Sequence, residues 1–260
     1  MTISVIIPAL NERDGLPETV KHLREAFRGE ALTAPEIIVV DGGSTDGTRE
    51  WVQEQPGLHL GNSVRGRGPQ MNAGARAAQG DVLLFLHADC GLPPGAGAAI
   101  QNALADPNVV GGAFRARFDA GSPRALRLTA SMITLRSRLF HEATGDQAIW
   151  ARKEAFWNVQ GFPEWPLFED FALVARLKKC GRFQILPLAV TLAPRRWLIY
   201  GIGRTNALMC LLYFGYRFGI APATLKRWFA DVRPSAGVTG DKLAARQTSS
   251  GHEAADSRRP

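Results

Sequence analysis

Three clusters of polar residues follow apolar runs in the first third of this 260-residue chain. Asn11-Glu12 comes after Ile6-Ile7-Pro8-Ala9-Leu10, Asp41-Gly42-Gly43-Ser44-Thr45-Asp46-Gly47-Thr48 after Val39-Val40, and His87-Ala88-Asp89 after Phe85-Leu86. A carboxylate followed by two glycines permits a tight turn and close approach of backbone to a ligand. The same Asp41 could instead form an Asx turn or help to cap the next helix. Arg65-Gly66-Arg67-Gly68, ahead of Pro69-Gln70-Met71-Asn72, sets two guanidinium groups and a pliable turn before a helix start. That arrangement can receive phosphate through charge-assisted bonds and exposed amides, with a solvated basic loop as the alternative. Asp89 offers the oxygen ligand that Mg2+ or Mn2+ prefers. Further along, Glu169-Asp170 opens a helical pattern, where acids are favoured whatever the function. A carboxylate so placed could also take a proton from a hydroxyl group, whose high pKa demands a base.

The elements that position these groups follow from hydrophobic periodicity. Apolar runs alternate with amphipathic stretches up to residue 86, the pattern of βαβ units on a parallel sheet. Strands are expected at 3–8, 36–40 and 81–86, and helices at 15–27, 48–53 and 69–78, with Asn11 or Asp14 capping the first helix and Asp46 the second. Ligands in open α/β sheets bind beyond the carboxyl ends of the strands, so the three polar clusters should converge on one crevice. Beyond the break at Gly91-Leu92-Pro93-Pro94-Gly95, a helix to about 104, a strand at 109–118, a helix at 124–141, a helix at 169–179 stopped by Gly181 and a strand at 183–187 are expected.

With its three strand-end motifs, the chain resembles the family 2, GT-A type nucleotide-sugar glycosyltransferases over about residues 3–170. The resemblance implies a GT-A Rossmann-like α/β/α sandwich with a mostly parallel central sheet, and an inverting transfer from a nucleotide-diphosphate sugar to an acceptor hydroxyl. It implies that Pro8, Leu10 and Glu12 line the base and ribose pocket, that Asp41 engages the nucleoside, and that Arg67 and Asn72 border the diphosphate. His87-Ala88-Asp89 stands where the family has Asp-x-Asp, making Asp89 the metal residue for Mg2+ or Mn2+. His87 replaces the first carboxylate and is a nucleotide contact, a weak ligand or a structural histidine. Glu169-Asp170 matches the acid pair that contributes the catalytic base, with Asp170 in the second position. Gly145-Asp146-Gln147 either frames the donor sugar or acceptor or forms a turn before a strand. Arg195-Arg196-Trp197 is similar to an Arg-Trp element near the diphosphate in processive relatives; the two arginines could equally anchor an interfacial helix.

Composition bounds these readings. With 45% hydrophobic and 21% charged residues the chain can bury one large core, and its net charge of +7 suits anionic partners without choosing among them. No stacking or recognition-helix motif supports nucleic acid as the partner. Cys90, Cys180 and Cys210 imply neither a disulfide framework nor a zinc cluster, and the start of the chain lacks a leader pattern, so a cytoplasmic setting is expected. Residues 197–229 are aromatic and apolar but interrupted by Arg204, Arg217, Lys226 and Arg227, and the uncharged core 207–216 is short of the roughly 20 residues that span a bilayer. This stretch is read as lying on the inner face of a membrane, which points to a lipid-like acceptor. The expected organisation is a catalytic domain at 1–196, an apolar and basic helical extension at 197–233 and a disordered tail at 234–260. Two other functions fit parts of the pattern: a catalytically weak nucleotide-sugar binding protein, given His87, and a nucleotidyltransferase, disfavoured because no Gly-rich basic loop follows the first strand.

Overall fold

The computed structural model describes residues 1–29 and 34–229. The expected tail at 234–260 lies outside the described residues. Seven strands, β1 (Ile3–Ala9), β2 (Glu36–Asp41), β3 (Leu58–Asn62), β4 (Val82–Phe85), β5 (Val109–Arg117), β6 (Ile149–Arg152) and β7 (Arg182–Thr191), form one sheet in the order β3-β2-β1-β4-β6-β5-β7. All neighbours pair in parallel except β6, which runs antiparallel to both β4 and β5. The helices are α1 (Leu16–Ala26), α2 (Thr48–Glu54), α3 (Arg67–Ala77), α4 (Ala96–Leu104), α5 (Arg124–Phe140), α6 (Lys153–Asn158), α7 (Glu169–Cys180), α8 (Arg195–Tyr200), α9 (Ile202–Arg217) and α10 (Pro222–Lys226).

Strand residues alternate between two cores, as a pleated strand covered on both faces requires. Val5, Ile7, Val39 and Leu84 face a cluster with Leu16, Val20 and Leu23 of α1, Ile100 of α4 and Leu126 of α5. Ile6, Ile38, Val40, Leu83 and Phe85 face the other, with Met71 and Ala75 of α3, Phe156 of α6, and Leu173, Val174 and Leu177 of α7. The result is the expected α/β/α sandwich. Gly74 allows α3 to lie against the sheet, because a Cβ there would stand 2.4 Å from Ile6 Cγ2.

A third cluster joins Phe168 and Phe171, which flank the acid pair, to Leu212 of α9 and Leu225 of α10. Phe168 stacks on Tyr216 with ring centroids 4.5 Å apart. The C-terminal helices therefore form a wall beside Glu169-Asp170. No helix among the described residues is long and apolar enough to cross a membrane.

The helix starts differ from expectation. Gly15 precedes α1 without a side-chain cap, and the Glu12 carbonyl accepts the amides of Gly15 and Leu16. Asn11, at φ 53, turns instead toward the β2 loop. Asp46 does accept the Thr48 amide at 3.0 Å.

Candidate functional site

The carboxyl ends of β1, β2 and β4 adjoin one another in the sheet, so the three polar clusters do meet. The loops after β1 and β2 are held together by their own motif residues. The amide of Asn11 donates to Ser44 Oγ, that of Glu12 to Thr48 Oγ1, that of Arg13 to Asp46 Oδ2, and that of Thr45 to Asn11 Oδ1, all at 2.9–3.0 Å. Asp41 is 1% exposed and accepts from the amides of Gly43 and Ser44 and from Arg49 Nη1. Burial opposes its charge, but the bonds from Ser44, Gly43 and Arg49 outweigh that and hold its carboxyl below the usual range. The Asx-turn reading of Asp41 is thus realised; a nucleobase would reach the carboxylate only by displacing what covers it.

Gln70 reinforces this platform from below. Its Nε2 donates to the carbonyls of Ala9 and Val40, both at 2.8 Å, and the missing side chain of Gly42 leaves room for its amide. Leu10 is buried, whereas Pro8 and Glu12 are both half-buried at the β1 end. Glu12 Oε2 lies 3.9 Å from Arg195 Nη2.

Across the crevice, four carboxylates gather around one guanidinium. Arg67, at the first turn of α3, is an exposed residue, and the partial loss of water around its guanidinium works against its charge. The fields of Glu169, Asp89, Asp170 and Asp146, in falling order, more than compensate and hold it protonated. Asp170 Oδ2 accepts the Gly145 amide at 2.7 Å and Oδ1 the Phe171 amide at 2.8 Å. Even so, burial and the neighbouring Glu169 push its carboxyl up to about 7. Asp146 is raised by burial against the opposing hydrogen bond from Thr144 and the charges of Arg136 and Arg67. The 145–147 segment and Asp170 are therefore one unit, joined through a single backbone amide.

His87 packs on Gly145, where a Cβ would meet its Nε2 at 2.6 Å. Burial, and then the charge of Arg67, press its pKa well below the usual value, so the imidazole is neutral. The ligand atoms of His87, Asp89 and Cys90 lie within 4.8 Å of one another. Burial, with Asp89 and Asp146 nearby, keeps the Cys90 thiol protonated. The donor set open to a hard cation is thus one carboxylate and one neutral imidazole.

A sequence model described as Glycosyl transferase family 2 matches residues 4–159, more than half of the chain. The chain belongs to that family. Its fold is similar to the mannosyltransferase PcManGT of Pyrobaculum calidifontis, solved with GDP-Man and Mn2+, at a TM-score of 0.61 and 24% identity over 85% of this chain and 66% of that one. The S. aureus TarS 1-349 structure matches with a TM-score of 0.58 and 21% identity over 75% of this chain and 61% of that one. In sequence, an uncharacterized glycosyltransferase of Mycobacterium tuberculosis is 41% identical over 33% of each chain. The dolichol-phosphate mannosyltransferase of Pyrococcus furiosus is 35% identical over 36% of this chain and 27% of its own length. An undecaprenyl-phosphate 4-deoxy-4-formamido-L-arabinose transferase of Serratia proteamaculans is 36% identical over 35% and 30%, respectively. The match spans about a third of the length of these curated relatives.

Several residues expected to face substrate in this family 2 chain have other partners. Asn72 is buried, with Nδ2 donating to the Phe162 carbonyl and Oδ1 accepting the Phe162 amide, so it pins the 161–163 loop to α3. Gln147 is fully buried: Nε2 donates to the Phe114 carbonyl, and Oε1 accepts from Ser137 and the Thr144 amide. It braces the loop that carries Asp146 and does not face the crevice. The two arginines of α8 diverge. Arg195 approaches Glu12, whereas the Arg196 guanidinium lies 4.0 Å from the Phe229 ring centroid. Sequence reasoning missed Arg49 and Gln70, whose roles depend on carbonyls and carboxylates from other segments.

Proposed function

We propose that the chain transfers a sugar from a nucleotide-diphosphate sugar to an oxygen of a lipid-linked acceptor, by single displacement with inversion at the anomeric carbon. The observation that carries this reading is Asp170, a half-buried carboxylate in the crevice whose pKa of about 7 suits a general base near neutrality. Gly145 orients one of its oxygens, and the wall of Phe168, Phe171 and Tyr216 shields it from bulk water. The acceptor O–H gives its proton to Asp170 as its oxygen attacks, and the nucleoside diphosphate departs with the electron pair of the broken bond.

The donor occupies the ends of β1 and β2, with Glu12 and the backbone of the Asp41 turn beside the nucleoside, and Arg67 and Arg195 toward the diphosphate. The neighbour solved with GDP-Man and Mn2+ and the TarS structure solved with UDP-GlcNAc support a nucleotide-sugar donor. Asp89 and His87 would hold Mg2+ or Mn2+, with donor oxygens completing the set; such an ion would neutralise charge on the departing diphosphate. Relatives named for dolichol phosphate and undecaprenyl phosphate support a lipid-linked acceptor. Peripheral contact with a membrane fits the exposed Leu198, Ile199, Leu211, Phe214 and Phe218 of the C-terminal helices. On this reading residues 1–196 carry the donor chemistry and the helices from 197 onward serve the acceptor side.

The test is a thermal-shift screen of nucleotide sugars with and without Mn2+, followed by transfer assays on Asp89→Asn. The variant should lose most turnover and all stimulation by Mn2+ or Mg2+. Full parent activity in chelator would remove the cation and leave diphosphate neutralisation to Arg67 and Arg195. Failure of every nucleotide sugar to bind would remove the proposed reaction.

A further inference from the structure

Directly after β4, a tight turn gathers three chemically different ligand atoms. The Cys90 amide donates to the His87 carbonyl at 3.1 Å and closes the turn. An imidazole nitrogen, a carboxylate oxygen and a thiol sulfur thereby come within 4.8 Å of one another, on side chains that are half-buried, exposed and buried in turn. Cys90 Sγ lies 3.9 Å from Asp89 Oδ1 and 3.6 Å from the Asp146 carbonyl oxygen, so the sulfur has polar atoms of the crevice loops beside it.

This donor set differs from the one a hard cation takes. Mg2+ binds oxygen, through one or two carboxylates together with substrate phosphates, and a sulfur adds little to it. Zn2+ accepts thiolate sulfur, imidazole nitrogen and carboxylate oxygen alike, and a tetrahedral site with three protein ligands and an open fourth position is one of its recurrent forms. At the usual bond lengths the ligand atoms of such a site stand about 3.3–3.6 Å apart, so a shift of about an ångström separates these side chains from it. We propose that His87, Asp89 and Cys90 form a three-ligand site for a cation of the Zn2+ class, with the Cys90 sulfur as the ligand that selects it.

The thiol proton leaves to solvent as the bond from sulfur to the cation forms, the ordinary course for a coordinating thiol. Such a site is complete enough to fill in the free protein, whereas Mg2+ or Mn2+ held by Asp89 and His87 alone would need donor oxygens. For the use of the cation the inference rests on the proposed transfer, in which the fourth position would accept an oxygen of the donor diphosphate. For its binding it rests on these three side chains alone.

The test uses the full chain, reduced and free of nucleotide, carrying Cys180→Ser and Cys210→Ser. Both of those cysteines are exposed, and their removal leaves Cys90 as the last thiol. One equivalent of Co2+, which adopts the zinc geometry, should give the near-ultraviolet charge-transfer band of a cobalt–thiolate bond, and Zn2+ should then remove it. Competition with a chromophoric chelator measures the Zn2+ affinity. Tighter binding of Zn2+ than of Mn2+ is the general order for sites of many kinds, so the deciding comparison is between proteins. Cys90→Ser, His87→Gln and Asp89→Asn should each weaken Zn2+ by at least about tenfold, since even changes outside the ligand shell cost that much. Cys90→Ser should leave Mn2+ affinity, read from the paramagnetic signal of the free ion, as it is. Bound Co2+ without the band, a result that needs no substitution at the site, would overturn the proposal. A Zn2+ affinity that Cys90→Ser leaves intact would do the same, as would an equal loss of Zn2+ and Mn2+, which would give the sulfur a packing role only. Transfer from a nucleotide sugar with Mn2+ in a protein that shows no band would keep the proposed reaction and remove this site. The band and its loss in Cys90→Ser, with no nucleotide sugar bound, would keep the site and remove the reaction.

Discussion

The two sides of the crevice are built on opposite principles. On the side of β1 and β2, the polar residues of the motif satisfy one another. Ser44, Asp46, Thr48 and Asn11 zip the two loops together, and Asp41 is covered by its own turn and by Arg49. On the side of α3, α5 and α7 the charges are left in conflict. Four carboxylates crowd Arg67, Asp170 is pushed toward neutrality, and Arg136 has two donors with no acceptor among the described residues. A network whose donors and acceptors all have partners makes a rigid platform, whereas mismatched groups hold free energy that a substrate can release. The most conspicuous motif in the sequence therefore builds the floor, and quieter residues surround the position proposed for chemistry.

The largest expected effect comes from the conflicted side. Asp170→Asn removes the proposed base and should lower turnover by about 10²–10⁴-fold, the usual contribution of a positioned proton acceptor, with donor affinity retained. Steady-state transfer and nucleotide titration on the same preparation check it. A variant with near-parent turnover would show that the conflict at Asp170 is only a packing feature. It would also favour an acceptor that is already ionised.

On the satisfied side the expectation is reversed, because the loss should appear in stability. Asp41→Ala removes the charged acceptor that holds the Gly43 and Ser44 amides and Arg49, at a cost of about 1–3 kcal/mol, the range of hydrogen bonds to a charged group. Chemical denaturation measures that term. If the folded variant keeps parent stability but loses nucleotide affinity, Asp41 contacts the base and the covering arrangement opens on binding.

This contrast also explains what the sequence could reveal. Alternating apolar runs are local signals, so β1, β2, β4, α1 and α5 were legible within a residue or two. The edge strand β3 was not, because Leu58-His59-Leu60-Gly61-Asn62 has only two apolar side chains and little to bury. The convergence of three strand ends followed from topology rules, and so did the presence of a crevice. Which side chains face it did not follow. Asn72 looked like a phosphate neighbour, yet it bonds to Phe162, 90 positions away. Gln147 looked like a sugar contact, yet it reaches Phe114 across the core. Arg136 reads as one more polar position on an amphipathic helix until α7 and α9 close over it. Each assignment depends on a partner from a distant segment, and no local pattern encodes that partner.

The acceptor side also extends to a surface, and here the effect should be smaller. Leu212 is 2% exposed and packs beside Phe168 and Phe171, whereas Leu211 and Phe214 on the same helix are 56% and 55% exposed. Replacing Leu211 and Phe214 with serine should leave the fold intact and weaken sedimentation with anionic liposomes about tenfold, as partial insertion of two apolar side chains predicts. Added salt should release the parent, since basic residues near such a surface contribute about 1 kcal/mol each. Undiminished liposome binding by the folded double variant would detach the acceptor side from any membrane.

The smallest effect gives the sharpest contrast, because Asp41 and Asp170 should respond to pH with opposite signs. The folded-state pKa of Asp41 is depressed, so its contribution to stability is present above the unfolded carboxylate value, near pH 4, and is lost as pH falls through its folded value. That of Asp170 is raised to about 7, so its contribution is present below pH 4 and is lost as pH rises through 7. Asparagine at either position removes the titration while keeping nearly the same shape. At pH 8, Asp41→Asn should melt below the parent and Asp170→Asn above it, each by an amount on the order of a few degrees. The Asp170→Asn advantage should shrink steadily between pH 7 and pH 4, whereas the Asp41→Asn deficit should hold over that range and fade only in stronger acid. Melting curves of the three proteins across pH 3–8 test both slopes. Parallel curves for the two variants would mean that the two carboxylates share one kind of environment, and the division of the crevice into a satisfied side and a conflicted side would fail with them.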